Sequence, residues 1–201
     1  MLVRGRVQTQ DGGCEVGAVL RGLLLACLPC FAIASDKPPV SIIPAPIFVS
    51  TGEHGLALKN GDSIAMPNDP TIRENAAWIA SLIEKDTGIS FVPARGPDGP
   101  STIRIELISE QDLKLKFEKK GLNPPQQIKE AYSLGINSKG VSIQAVHPGG
   151  LFYGMTTLWQ LASALSNGRL PEVDILDAPQ FEWRGLMLDS ARHMQSVGYI
   201  K

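Results

Sequence analysis

Past residue 30 this chain of 201 residues contains no cysteine; all three, Cys14, Cys27 and Cys30, lie in its first thirty positions. The rest of the polypeptide therefore holds neither a disulfide nor a cysteine-based metal or redox centre, and must fold on its apolar core alone. Histidine is almost as scarce. His54, His147 and His193 stand far apart with no ligand spacing, and no H-E-x-x-H, Walker or Ser/His/Asp nucleophile motif occurs, so neither metal nor cofactor is expected. An excess of charge of one sign is also missing: 19 Lys and Arg stand against 20 Asp and Glu, a net charge of −1. That balance gives no electrostatic reason to expect nucleic acid or an anionic membrane as partner. No Asn-x-Ser/Thr acceptor is present, in keeping with bacterial export.

What is present is 43% hydrophobic and 19% charged, the balance of a globular protein with a core rather than a disordered chain. Residues 1–34 differ from the rest. Arg4 and Arg6 precede an apolar run that ends in Ala32-Ile33-Ala34, the pattern of a secretory signal peptide cleaved after about Ala34. Arg21 interrupts the run, which falls short of the ~20 residues a membrane span needs, so cleavage is favoured over anchoring. Leu24-Leu25-Ala26-Cys27 also resembles a lipoprotein cleavage box, but that reading leaves residues 28–34 apolar and unexplained. The mature chain, with net charge −2 after loss of three arginines and two acids, is expected to be periplasmic or extracellular and free of the membrane.

Residues 40–49 read as an edge or irregular strand, because Pro44 and Pro46 cannot donate to a ladder. Short strands around residues 56–58 and 63–66 flank Asn60-Gly61, a hairpin turn signal. Asp69-Pro70 then offers an N-cap and a first-turn proline to a helix whose Ile72, Ala76, Ile79 and Ile83 recur at helical spacing up to Gly88. Residues 103–108 alternate as a half-buried strand, and the lysine-rich residues 114–120 read as a solvated surface segment. Tyr132, Leu134 and Ile136, then Ser138-Lys139-Gly140, then Val141, Ile143 and Ala145 form a second hairpin pattern. His147 reads as a turn residue before a second helix, whose stripe is Leu151, Met155, Leu158, Ala162 and Leu165, ending at Asn167-Gly168. The glycines of Gly149-Gly150-Leu151-Phe152-Tyr153-Gly154 lack phosphate-binding spacing, and Gly154 reads as a close-packing point between helix and sheet. These elements predict an α+β domain over residues 38–172, a sheet of short, mostly antiparallel strands with two helices on one face, and a linker over 173–180.

Residues 181–201 read FEWRGLMLDSARHMQSVGYIK. Leu186, Met187 and Leu188 are apolar on both strand faces, as in a parallel sheet buried under helices, and Asp189, Arg192 and His193 follow at the carboxyl end, where barrel enzymes place their chemistry. Three blocks, Glu130-Ala131-Tyr132-Ser133-Leu134, AVHPGGLFYGMTTLWQL at 145–161 and the closing stretch, together resemble the amino-terminal region of glycoside hydrolase family 20, the exo-acting β-N-acetylhexosaminidases. The resemblance implies a non-catalytic, zincin-like α+β domain, followed at 181–201 by the first strand and start of the first helix of a truncated (β/α)₈ barrel. It implies substrate-assisted retaining hydrolysis of terminal β-linked N-acetylglucosamine or N-acetylgalactosamine, with an N-acetylhexosamine-containing oligosaccharide as partner. The Asp-Glu pair for that chemistry is absent from these residues, so the chain alone is expected to be inactive. Arg184 matches an arginine that the resemblance makes a ligand of the sugar hydroxyls; without it, Arg184 reads as a structural salt-bridge arginine. Asp189, Arg192 and His193 are assigned to the pocket floor or to a structural role. The alternatives are a secreted, non-enzymatic carbohydrate-associated module, or the start of another carbohydrate hydrolase such as an α-glucuronidase or a hyaluronidase-like hexosaminidase.

Overall fold

The computed structural model describes residues 40–96, 102–165, 169–189 and 191–200. The signal-peptide reading of 1–34 and the helix stop at Asn167-Gly168 lie outside these residues. In chain order the elements are β1 Phe48–Thr51, β2 Leu56–Ala57, β3 Asp62–Ala65, α1 Pro70–Thr87, β4 Phe91–Pro93, β5 Ile103–Leu107, α2 Glu110–Lys119, β6 Tyr132–Asn137, β7 Gly140–Ala145, α3 Pro148–Ser163, β8 Arg169–Leu170, β9 Val173–Asp177 and α4 Val197–Ile200. Seven strands form one sheet in the order β1-β9-β6-β7-β5-β3-β4, and β2 pairs with β8.

Helix α1 follows its sequence signals closely. The Asp69 carboxylate accepts the Ile72 N–H at 3.0 Å, satisfying one of the four unpaired donors of the first turn, and Gly88 closes the other end at φ 74°. Ile72, Ala76, Ile79 and Ile83 are its buried residues. Helix α3 starts from His147, which is a cap as well as a turn residue: its Nδ1 accepts the Gly149 N–H at 3.1 Å. The two helices pack side by side on the face formed by Ile103, Ile105, Leu134, Ile136, Ile143 and Ile175.

The α+β class with these two helices on one face is as expected, whereas the strand pairing differs in three respects. The sheet is mixed. β1-β9, β9-β6 and β6-β7 are antiparallel, but β7-β5, β5-β3 and β3-β4 are parallel, because β3 reaches β4 through α1 and a helical crossover returns the chain in the same direction. Asn60-Gly61 does form a turn, with Gly61 at φ 85°, yet its flanks do not pair with each other. β2 instead joins Arg169–Leu170, and β3 lies between β4 and β5. Finally, residues 173–177 of the expected linker are a strand, not a connection: Val173, Ile175 and Leu176 are buried, and β9 sits between β1 and β6.

The lysine-rich segment was legible only on its wet side. It is helix α2, capped by Ser109, and Leu113 and Phe117 are fully buried on the second face of the sheet beside Ile128, Ala131, Leu176 and Ala178. Its lysines serve the rim, where Lys120 meets Asp174 at 2.6 Å. Leu176 turns to α2 while its neighbour Ile175 turns to α1 and α3, as the two-residue period of a strand requires.

Gly154 sits where α3 approaches the sheet. A Cβ there would lie 2.6 Å from Ile143 Cγ2 and 3.2 Å from the Tyr132 ring, both anchored in strands. Substituting Gly154→Ala removes a helix-interior glycine but overpacks this contact, and a net loss of about 1–3 kcal/mol is expected in urea unfolding of the 201-residue chain. A gain in stability would mean that α3 does not approach the sheet this closely.

Candidate functional site

Helical spacing places three polar side chains of α3 on one side: Tyr153, Thr157 and Gln160, four and three residues apart. They face a cavity of about 500 Å³ closed by residues 42–47, the end of β9 and residues 178–184. Gln160 straps the opening segment of the domain, accepting the Ile43 N–H at 2.9 Å and donating to the Ile43 carbonyl at 3.0 Å. Thr157 shares a 2.6 Å hydrogen bond with the Tyr132 hydroxyl, which in turn donates to Asp177 at 3.3 Å. Register makes that last contact possible, since Tyr132 and Asp177 are paired across β6 and β9 on the α1/α3 face.

Asp177 is the one carboxylate drawn into this inner layer. Burial is the main influence on it and raises its pKa above the ordinary 3.8, opposed by the N–H groups of Ile47 and Ala178 and by the Tyr132 hydroxyl. Tyr132 is itself pushed up, chiefly by burial, and stays a neutral donor. The cluster thus ties β6, β9, α3 and the residue before β1, Ile47, together.

At the outer edge of the cavity lies Arg184. Its Nη2 donates to Glu130 Oε2 at 2.8 Å and to the Tyr153 hydroxyl at 3.0 Å, Nη1 donates to the Phe181 carbonyl, and the guanidinium lies 5.7 Å from the Tyr153 ring centre. Three of its five N–H donors are thereby engaged within the domain. The Glu130 carboxylate first, then the Tyr153 hydroxyl, hold it further toward its charged form. This is the geometry of a salt-bridge arginine. The aromatic row continues outward: Phe152 packs edge-on against Tyr153 and stacks on Trp78 at 6.0 Å.

The other sequence candidates stand apart from Arg184. Asp189 and Arg192 come together, with Arg192 Nε 3.2 Å from Asp189 Oδ2 and Asp189 Oδ1 accepting the N–H groups of Ala191 and Arg192, while His193 is exposed in the same turn. None of these three lines the cavity. Among the described residues, 181–189 pair with no strand, and Leu186 and Met187 are 93% and 91% exposed. Sequence reasoning assigned no role to Glu130, Tyr153, Thr157 or Asp177. Two signals pointed at them: a glutamate next to a buried strand, and a polar face at helical spacing opposite the apolar stripe of α3.

The described residues thus form a mixed sheet with two helices on one face, followed by an extended segment tied to it through Arg184. The family model described as glycosyl hydrolase family 20, domain 2, matches residues 39–178. This chain belongs to that family. It is 28% identical over 168 residues to an N,N'-diacetylchitobiase of Vibrio harveyi, covering 84% of this chain and 17% of the relative. With a beta-hexosaminidase of Vibrio furnissii it shares 36% over 170 residues, 84% of this chain and 24% of the relative. Among solved structures, the family 20 beta-N-acetylhexosaminidase of Streptomyces coelicolor A3(2) superposes with a TM-score of 0.61 at 28% identity, over 80% of this chain and 31% of that one. A mutant Streptomyces plicatus beta-hexosaminidase in complex with product (GlcNAc) gives 0.60 at 27%, over 78% and 30%. The chain thus spans less than a third of the length of each of these relatives.

The raised pKa of Asp177 has a definite sign in stability. A folded-state value above the unfolded one favours folding where the group is protonated, below about pH 3.8, and that contribution is lost as pH rises through the folded-state value. Relative to Asp177→Asn, the unsubstituted chain should be at its best at low pH and should lose ground as pH climbs above 3.8. Thermal melts of both proteins between pH 3 and 7 check this; a difference that moves in the opposite direction contradicts it.

Proposed function

We propose that this chain is the amino-terminal part of an exported exo-β-N-acetylhexosaminidase. In this reading residues 1–34 are a cleaved leader, residues 38–178 form the accessory α+β domain, and residues 181–201 begin the (β/α)₈ barrel that hydrolyses terminal β-linked N-acetylglucosamine or N-acetylgalactosamine. The observation that carries it is the exposed run Leu186-Met187-Leu188, apolar on both sides and paired with nothing among the described residues. Such a run is an aggregation liability unless further strands cover it. The names of the relatives supply the chemistry, and the S. plicatus complex holds N-acetylglucosamine itself.

Hydrolysis in this reading is retaining and substrate-assisted: the acetamido oxygen attacks the anomeric carbon while an Asp-Glu pair orients the acetamido group and protonates the leaving oxygen. These carboxylates belong to a part of the enzyme that the chain does not contain, so its own residues contribute to binding alone. Arg184 was the expected sugar ligand. Its engagement by Glu130 and Tyr153, and its place before the apolar run, instead support an anchoring role. Asp189, Arg192 and His193 follow the run, at the end where barrel enzymes bind substrate. Arg192, its side chain 85% exposed, is the better-placed donor to sugar hydroxyls.

The reading predicts turnover of a chromogenic N-acetylglucosaminide by a polypeptide that continues in frame through the barrel, and none by the 201-residue chain. In that longer polypeptide Arg192→Ala should lower kcat/KM by about 10²-fold, as loss of a substrate-positioning contact does. Turnover by the short chain, or an inactive longer one, would overturn the assignment.

A further inference from the structure

Glu130, Tyr153 and Arg184 come from three distant parts of the sequence: the lead-in to β6, the first turns of α3, and the segment after β9. Among the described residues, their convergence ties 181–189 to the α+β domain through side-chain hydrogen bonds and an ion pair. The tie has three components: an ion pair, a hydrogen bond from the same nitrogen to a phenol, and the cation over the phenol's ring. Both charged side chains are about two-thirds shielded, at 37% and 34% exposure, so water screens the pair less than it would on an open surface. Beyond Arg184 the segment makes no comparable contact among the described residues: Leu186 and Met187 are almost fully exposed, and Asp189 and Arg192 bond each other.

From this arrangement we infer that Glu130 and Tyr153 are positioning residues. They grip Arg184 at the foot of the run 186–188 and thereby set the direction in which that run leaves the domain and presents Asp189, Arg192 and His193. The inference rests on the reading of 181–201 as the start of the hexosaminidase barrel, and gives the accessory domain a part in substrate binding without contact with substrate. The choice of arginine supports the assignment. A guanidinium has its donors in a fixed plane, so a carboxylate and a phenol on one nitrogen fix its orientation as well as its position, which a lysine held by the same partners would not. Tyr153 is also constrained on its far side by Phe152, itself stacked on Trp78, so the grip is built on two helices rather than on one mobile side chain.

The latch is read directly in the 201-residue chain by hydrogen exchange of the Arg184 guanidinium protons, followed by NMR. Glu130→Gln should speed that exchange by about threefold or more, while the amides of β6, β7 and α3 keep their protection. Tyr153→Phe should do so to a smaller extent, and the paired swap of Glu130→Arg with Arg184→Glu should restore slow exchange at the guanidinium now carried by position 130. Unchanged exchange in Glu130→Gln overturns the latch. Positioning is read in the longer polypeptide: Glu130→Gln should raise KM about 3- to 10-fold for the chromogenic N-acetylglucosaminide with kcat and melting temperature little changed. Arg184→Gln should match it, and the double variant should be no worse than either single one. A KM that stays constant while exchange speeds up reduces the latch to a structural contact and overturns the positioning role. An inactive unsubstituted longer polypeptide fails the hexosaminidase reading itself, and is told apart because exchange in the short chain still reports whether Glu130 holds Arg184.

Discussion

The close approach of α3 to strands β6 and β7 at Gly154 is the constraint from which the rest of the domain follows. With no side chain at that position, the helix backbone sits near Ile143 and the Tyr132 ring, and one face of α3 drives Leu151, Met155, Leu158 and Ala162 into the core. The adjoining face is then fixed in space. Tyr153 comes beside Glu130, Thr157 reaches the Tyr132 hydroxyl, and Gln160 meets the backbone of Ile43. A helix held an ångström further out would bury the same apolar stripe less completely and would leave these polar groups short of their partners.

Those partners organise the edge at which the chain leaves the domain. Buried polar groups are tolerable when their hydrogen bonds are made, and Tyr132, Thr157 and Asp177 satisfy one another while joining elements far apart in sequence. Just outside that inner layer, in better contact with water, Glu130 and Tyr153 receive Arg184. The gradient from dry core through satisfied hydroxyls to a half-shielded ion pair makes a firm base for residues 181–189. It also separates the anchoring arginine from the Asp189 to His193 turn, in which the groups that meet sugar are proposed to lie.

Much of this was legible locally. Helix α1 could be placed to the residue because a capping aspartate, a first-turn proline, four isoleucine and alanine positions and a closing glycine all agree. The β6-β7 hairpin and the packing role of Gly154 were equally plain. Family membership was readable in the three blocks at 130–134, 145–161 and 181–201, and the match over residues 39–178 bears it out. Less legible were α2, where lysines on the wet face masked Leu113 and Phe117, and β9, where Asp177-Ala178-Pro179 suggested a connection although Val173, Ile175 and Leu176 carry an apolar pattern. In both cases a polar composition overlies a short apolar period.

By itself the amino-acid order determined which segments are helical or extended, and which face of each is apolar, because capping, turn chemistry and the periods of helix and strand act over a few residues. Which strands become neighbours was decided only by the tertiary structure. Periodicity states that a face must be buried but does not name what buries it, so the turn signal at Asn60-Gly61 points β2 to β3 although β2 pairs with β8, Leu56 opposite Leu170 and Ala57 opposite Arg169. The site was decided at the same level. Glu130 and Arg184 are 54 positions apart, and neither one's pattern specifies the other; only the packing of α3 on the sheet brings a carboxylate, a phenol and a guanidinium within hydrogen-bonding distance.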